Sequence, residues 1–220
     1  MHSTNMKEIK TAVITGNHPF EVPEFVQFMR NLEGVDFYLQ DIENFSADFS
    51  SVQNNYDVLL FYNMHMTPPI LPDWCNRQVS DALNELGKQK QGIFCLHHGM
   101  LAFRDMPLWN EIVGIQNRKF KPHKNELVHV EITDPLHPVT KGMQPWDMLD
   151  ETYAMDSAGE GSQVLLHTDH PRSLRTLAWT RQYKNSPIFC LASGHGKDTY
   201  SNPNFKTVVE RAIYWLAGKI

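Results

Sequence analysis

Short, continuous apolar runs punctuate an otherwise mixed chain of 220 residues. Gly92-Ile93-Phe94-Cys95-Leu96 reads as a buried strand covered on both faces, the pattern of parallel sheets. Lys10 to Gly16, Tyr56 to Tyr62 and Pro187 to Ser193 read the same way. Between these runs the period changes to that of helices. Phe25, Val26, Phe28, Met29 and Leu32 follow Pro23. Val79, Leu83 and Leu86 share a face within Trp74 to Lys88, and Val208, Val209, Ile213 and Leu216 do so within Phe205 to Leu216. Shorter helices are expected around Leu101–Phe103 and Trp109–Val113. Val35 to Leu39 is a second strand, and the polar stretch 41–55 reads as a loop. The order β-α-β-β-α-β-α predicts an α/β chain with a doubly wound, mostly parallel sheet.

The second half alternates instead. Val128 to Ile132 has the pattern of a strand with one solvated face. Trp146 to Tyr153 carries paired carboxylates between apolar residues. Gln163–His167 and Arg175–Thr180 look like a hairpin. No repeat or linker divides the chain, so one domain over residues 1–220 is expected.

Composition narrows the partners. The formal charge is −5 with His neutral, and no basic run or Arg–aromatic interleaving suggests nucleic acid. No stretch approaches the ~18 continuous apolar residues of a membrane span. The N-terminal residues lack an apolar signal core, so a cytoplasmic location is the expectation. Cys75, Cys95 and Cys190 lack metal-type spacing, and the last two lie in apolar runs, as buried thiols do. The ordinary apolar content leaves a homo-oligomer open.

The unusual feature is 11 His in one chain. His97 and His98 end the Gly92–Leu96 strand, and Gly99 permits a sharp bend after them. In open α/β sheets ligands bind at such carboxyl ends. His18 follows the first strand, and His195 sits between Gly194 and Gly196 after the last. With Glu151 they make a set suited to a divalent cation such as Zn, and suited equally to acid–base chemistry with a Glu raised toward neutrality. His65 and His98 are further candidates at the same edge. Trp179 and Trp109 read first as core, although an aromatic at a site rim could stack on a sugar. His137 orders a turn before proline, and His123, His129, His167 and His170 read as surface or turn residues. The elbow position that holds a nucleophilic Ser or Cys in hydrolases and amidotransferases is occupied by His97. Cys95 lies inside the strand, and nothing activates Ser193. Acyl-enzyme chemistry is therefore not expected.

The series His18, Leu96-His97, Asp134-x-x-His137-Pro138-Val139-Thr140-x-Gly142, Asp150-Glu151-x-Tyr153, Ala178-Trp179-Thr180-Arg181 and Gly194-His195 resembles the ThuA-like (trehalose utilisation) family. The resemblance runs from about Lys10 to Gly218 and includes Asn202-Pro203-x-Phe205 and Trp215-Leu216-Ala217-Gly218. It departs at Gly196, where the family often has an acidic residue, and at 183–186, which lack a glycine-rich turn. The resemblance implies a flavodoxin-like, class I glutamine amidotransferase-like three-layer sandwich without the thiol nucleophile. It also implies carbohydrate catabolism, acting on trehalose-like disaccharides or their 3-keto derivatives.

Three readings follow. The first is a sugar hydrolase or lyase with Glu151, His97 and His195 as catalytic residues. His18, His65, His98 and Trp179 would contact substrate, and His18, His97 and His195 would hold Zn, Mn or Mg, with no organic cofactor. The second is a non-catalytic sugar- or metabolite-binding module, and the third a metal-binding or interaction protein with no sugar role.

Overall fold

The computed structural model describes residues 8–52, 55–66 and 73–220. The N-terminal stretch 1–7 and the Cys75 side chain lie outside the described residues. The strands are β1 (Ile9–Thr15), β2 (Val35–Asp41), β3 (Val58–Phe61), β4 (Gly92–Leu96), β5 (Lys121–Ile132), β6 (Trp146–Ala154), β7 (Gln163–His167), β8 (Thr176–Tyr183) and β9 (Ser186–Leu191). The helices are α1 (Val22–Arg30), α2 (Ile42–Val52), α3 (Asp73–Glu85), α4 (Pro107–Val113), α5 (Lys197–Tyr200) and α6 (Pro203–Leu216), with a 3-10 turn at His97–Leu101.

The strands form a mixed sheet in the order β2-β1-β3-β4-β9-β8-β7-β5-β6. From β2 to β9 all neighbours are parallel. From β9 to β6 all are antiparallel. The architecture is thus α/β and doubly wound, with a parallel half and an antiparallel half. The wholly apolar β3 and β4 are buried along their length, because helices cover both faces. Successive side chains of a strand point to opposite layers, and β3 and the residue after it show it. Phe61 meets Phe45 of α2 and Trp109 of α4, whereas Tyr62 meets Phe25 of α1 and Tyr200 of α5. One core cluster runs from Ile9 to Leu216. α6 starts at a capped end: Asn202 Oδ1 accepts from the amides of Asn204 and Phe205, and Pro203 occupies the first turn.

Two expectations fail. The stretch read as a loop at 41–55 holds α2. Its polar residues dilute Ile42, Phe45, Phe49 and Val52, whose spacing is helical, and Asp41 caps it by accepting from the Asn44 amide at 2.8 Å. The strand expected at Val128–Ile132 begins at Lys121. Its polar first half pairs with β6, while only Glu131 and Ile132 pair with β7. β5 and β6 therefore form an arm at the end of the sheet, and the arm bears Glu151.

Candidate functional site

The chain leaves β1 for β2 on one side of the sheet and later places β3 on the other. The loops after β1 and β3 diverge there and open a crevice at the carboxyl edge. His18 follows β1, His97 and His98 follow β4, and His195 follows β9.

His97 occupies the bend after β4 with a left-handed backbone, φ +49°, the strained elbow expected from sequence. Gly99 makes that bend possible, since a Cβ there would lie 2.1 Å from the Phe61 carbonyl oxygen. Strand backbone cannot yield easily, so Gly99→Ala is expected to destabilise at the upper end of the ~1–3 kcal/mol range for overpacking. Denaturant unfolding checks this.

The His97 Nδ1 lies 2.7 Å from the Ala192 carbonyl. A carbonyl only accepts, so Nδ1 carries a proton, and Nε2 is the ring nitrogen turned to the site. Toward that nitrogen converge the Tyr153 hydroxyl at 2.7 Å, His195 Nδ1 at 3.3 Å and Glu151 Oε2 at 3.5 Å. Glu151 Oε2 and His195 Nδ1 are 3.3 Å apart. His97, Glu151 and Tyr153 are buried, and His195 is half-buried at the cleft. His97, Glu151 and His195 are the set of potential metal ligands found among the described residues.

The electrostatics fix protonation. Burial pushes the Glu151 carboxyl up, but His97 and His195 together outweigh it and the net shift is downward. The expectation of a Glu raised toward neutrality is thereby corrected: Glu151 is ionised at neutral pH. Burial and the His97 charge lower His195, and burial chiefly lowers His18; both are neutral imidazoles near pH 7. Burial and the Glu151 charge hold Tyr153 well above the phenol range, so it remains an O–H donor.

His18 stacks on His98 with ring centroids 4.3 Å apart and meets His195 edge-on at 6.1 Å. It borders the cluster without joining it, so Glu151 replaces His18 in the expected ligand set. His98 Nε2 donates to the Tyr62 carbonyl at 2.9 Å, and the Nδ1 atoms of both His18 and His98 are buried without a partner. His65 is buried, receives the Asn63 amide at 3.1 Å and lies parallel to Phe103. Trp179 is fully buried and donates to the Val113 carbonyl at 2.9 Å; no face is left for a sugar, so its place is in the core. His137 orders its turn by accepting the Val139 amide at 3.2 Å.

Sequence reasoning passed over Tyr153 as a site residue. Its spacing from Glu151 was the available signal, since alternate residues of a strand share a face.

His98 sets an acid limit on stability. Burial holds its folded pKa well below the ordinary 6.5. Between those values the unfolded chain binds more protons, so stability is lost as pH falls below about 6.5 and is level above it. The Glu151 contribution is lost in a lower window, beneath its ordinary 4.5. Unfolding free energies from pH 8 to 5 should show the slope, and His98→Asn should reduce it, leaving the part that His18, His65, His137 and His195, also lowered by burial, contribute.

The cluster opens onto a cleft of about 480 Å³. Pro19, Phe20 and Leu149 form apolar wall, and Glu21, Asn125, Asp198 and Thr199 supply polar groups. Sugars carry both kinds of surface.

The family model for ThuA, described as trehalose utilisation, matches residues 13–216. A ThuA-like protein from Parabacteroides merdae superposes with a TM-score of 0.72 at 20% identity, over 97% of this chain and 92% of that one. A cytoplasmic protein from Salmonella typhimurium gives 0.67 at 15% identity, over 94% and 99%. A glutamine amidotransferase from Thermotoga maritima gives 0.57 at 8% identity, over 96% and 98%. At these identities the structural likeness establishes the fold, which is glutamine amidotransferase-like. No curated protein matches the chain in sequence. No helix among the described residues is long and apolar enough to cross a membrane.

Proposed function

The chain belongs to the ThuA, trehalose utilisation, family, and from that premise we propose that it is a carbohydrate-catabolism enzyme, a single domain over residues 1–220 acting on trehalose-like disaccharides or their 3-keto derivatives. The observation that carries the proposal is the meeting of His97, Glu151 and His195 at the floor of a sugar-sized cleft, with no nucleophilic Ser or Cys at the elbow.

The triad fits a divalent cation. Zn bonds of about 2.0–2.1 Å to four tetrahedral ligands separate those ligands by about 3.3–3.4 Å. The three separations here are 3.3, 3.3 and 3.5 Å. Two imidazole nitrogens and one carboxylate are the donors Zn and Mn accept. His97 Nε2, His195 Nδ1 and Glu151 Oε2 would hold the ion, and its chemistry there would be Lewis acidity toward a substrate oxygen.

For a 3-keto sugar the chain's own groups suffice for the proton traffic. The ketone acidifies the C2–H. His18, neutral and half-buried beside the cluster, takes that proton on Nε2, its Nδ1 being buried. The electron pair moves onto the ketone oxygen as enolate and then back to expel the C1 substituent, whose oxygen gains a proton. Water adding across the resulting double bond completes a net hydrolysis. Tyr153, held protonated, is the donor beside the cluster.

A second reading, metal-free acid–base catalysis, is favoured by the 2.7 Å bond from Tyr153 to His97 Nε2, which already satisfies that nitrogen. Ionised Glu151 is then the base. Incubation of the protein with disaccharides and 3-keto-glycosides, with Zn, Mn or Mg and separately with chelator, tests both. Glucose release abolished by chelator supports the first reading, and release that survives it supports the second. Saturable sugar binding with no product under any condition would leave a binding module instead.

A further inference from the structure

Asp150 precedes Glu151 on β6, yet its carboxylate serves another strand. Oδ1 accepts the Glu151 amide at 2.8 Å and the His195 amide at 3.0 Å, and Oδ2 accepts the Gly194 amide at 2.8 Å. In the sheet β6 and β9 are separated by β8, β7 and β5, so this side chain ties the arm to a loop that no strand pairing joins to it. Asp150 is buried, and three N–H donors compensate its charge.

The loop it grips is held from the other side too. The Tyr62 hydroxyl donates to the Gly194 carbonyl at 2.9 Å, and the Tyr200 hydroxyl donates to the His195 carbonyl at 3.3 Å. Gly194 has φ +126°, and a Cβ there would crowd Phe205 and Leu96 at 3.2 and 3.3 Å. Both peptide N–H groups and both carbonyls of Gly194-His195 are therefore fixed by side chains. Asp150 alone among these also holds the backbone of Glu151.

We infer that Asp150 is the positioning residue of this centre: by binding the amides of Glu151 and His195 with one carboxylate oxygen, it sets the distance between Glu151 Oε2 and His195 Nδ1. The inference rests on the cluster being the functional centre proposed above. Groups that orient ligands in this way typically change metal affinity about 10- to 100-fold when removed.

The test compares Asp150→Ala with Thr152→Val. Ala removes the oxygen that holds both amides, whereas Asn would keep it. Thr152 lies on the same strand and loses one bond, to the Arg172 carbonyl at 2.7 Å, without touching the carboxylate. Zn affinity by chelator competition should weaken about 10- to 100-fold in Asp150→Ala and stay within about 2-fold in Thr152→Val. Crystals of metal-free Asp150→Ala should show His195 Nδ1 and Glu151 Oε2 moved apart, beyond about 4 Å, from the present 3.3 Å. An unchanged separation overturns the inference, as does a Zn affinity that falls no more than in Thr152→Val. If the wild type takes up no Zn, the metal reading fails, and the crystallographic separation still decides the role of Asp150. If neither Asp150→Ala nor Asp150→Ser folds, Asp150 is a folding residue and the positioning assignment is wrong.

Discussion

Glu151→Gln is expected to lower kcat/KM on a 3-keto-disaccharide by roughly 100- to 10,000-fold, the usual size of a lost acid–base or ligand group. The substitution keeps the shape and removes the charge. In the metal-assisted reading the uncharged amide also weakens the ion's hold between His97 and His195. In the acid–base reading it removes the base itself. The fold should survive, because the backbone amide of Glu151 remains bound to Asp150. Near-equal circular dichroism and melting temperature would show that the loss is chemical. Activity within about 3-fold of wild type would remove Glu151 from the reaction, since even modest acid–base roles exceed that.

Arg118→Met should be the most damaging substitution for stability, by about 3–5 kcal/mol. Arg118 is buried after α4, and its guanidinium staples the segment that follows the elbow. It donates to the carbonyls of Met100 at 3.0 Å, Phe103 at 2.8 Å and Arg104 at 3.3 Å, to that of Ala102, and to Asn110 Oδ1 at 2.7 Å. Burial lowers its pKa to about 10, which still leaves it charged at neutral pH. Met matches the stem's length but leaves these acceptors without a donor in the interior. At ~2–4 °C per kcal/mol for a chain of this size, the melting temperature should drop by roughly 6–20 °C. Arg118→Lys should recover only part of it, because an ammonium cannot fork across several carbonyls. Denaturant titration measures both, and a loss under about 1 kcal/mol for Met would contradict the stapling role.

How far the sequence reveals this molecule depends on the range of the interactions. β3, β4 and β9 are legible because strands covered on both faces must be apolar throughout, and local composition carries that. α2 hides because its solvated face is polar and its apolar positions are few. The first half of β5 hides for a different reason: Lys121-Pro122-His123-Lys124 gives no apolar alternation, and its partner β6 supplies the hydrogen bonds. In the site, His97 and His195 are legible as polar residues at the ends of parallel strands, which deliver them to one edge, whereas Glu151 comes to them from within β6 of the antiparallel arm. In the sequence Asp150 is one of two paired carboxylates between apolar residues, with no sign of which would be bound. Its partners, Gly194 and His195, lie more than 40 residues away, and nothing local announces them. Arg118 is equally silent, since all but one of its acceptors are backbone carbonyls. His18 lies at the edge but one step from the cluster, because the order of strands says which loops meet and not which atoms touch.

The central claim is that His97, Glu151 and His195 form one centre that takes a divalent cation. Crystals grown with Zn and measured at wavelengths on either side of its absorption edge test it most directly. The account predicts an anomalous peak within bonding distance of His97 Nε2, His195 Nδ1 and Glu151 Oε2 together, lost in His97→Ala. A peak at other residues, or none between these three at saturating Zn, would contradict it.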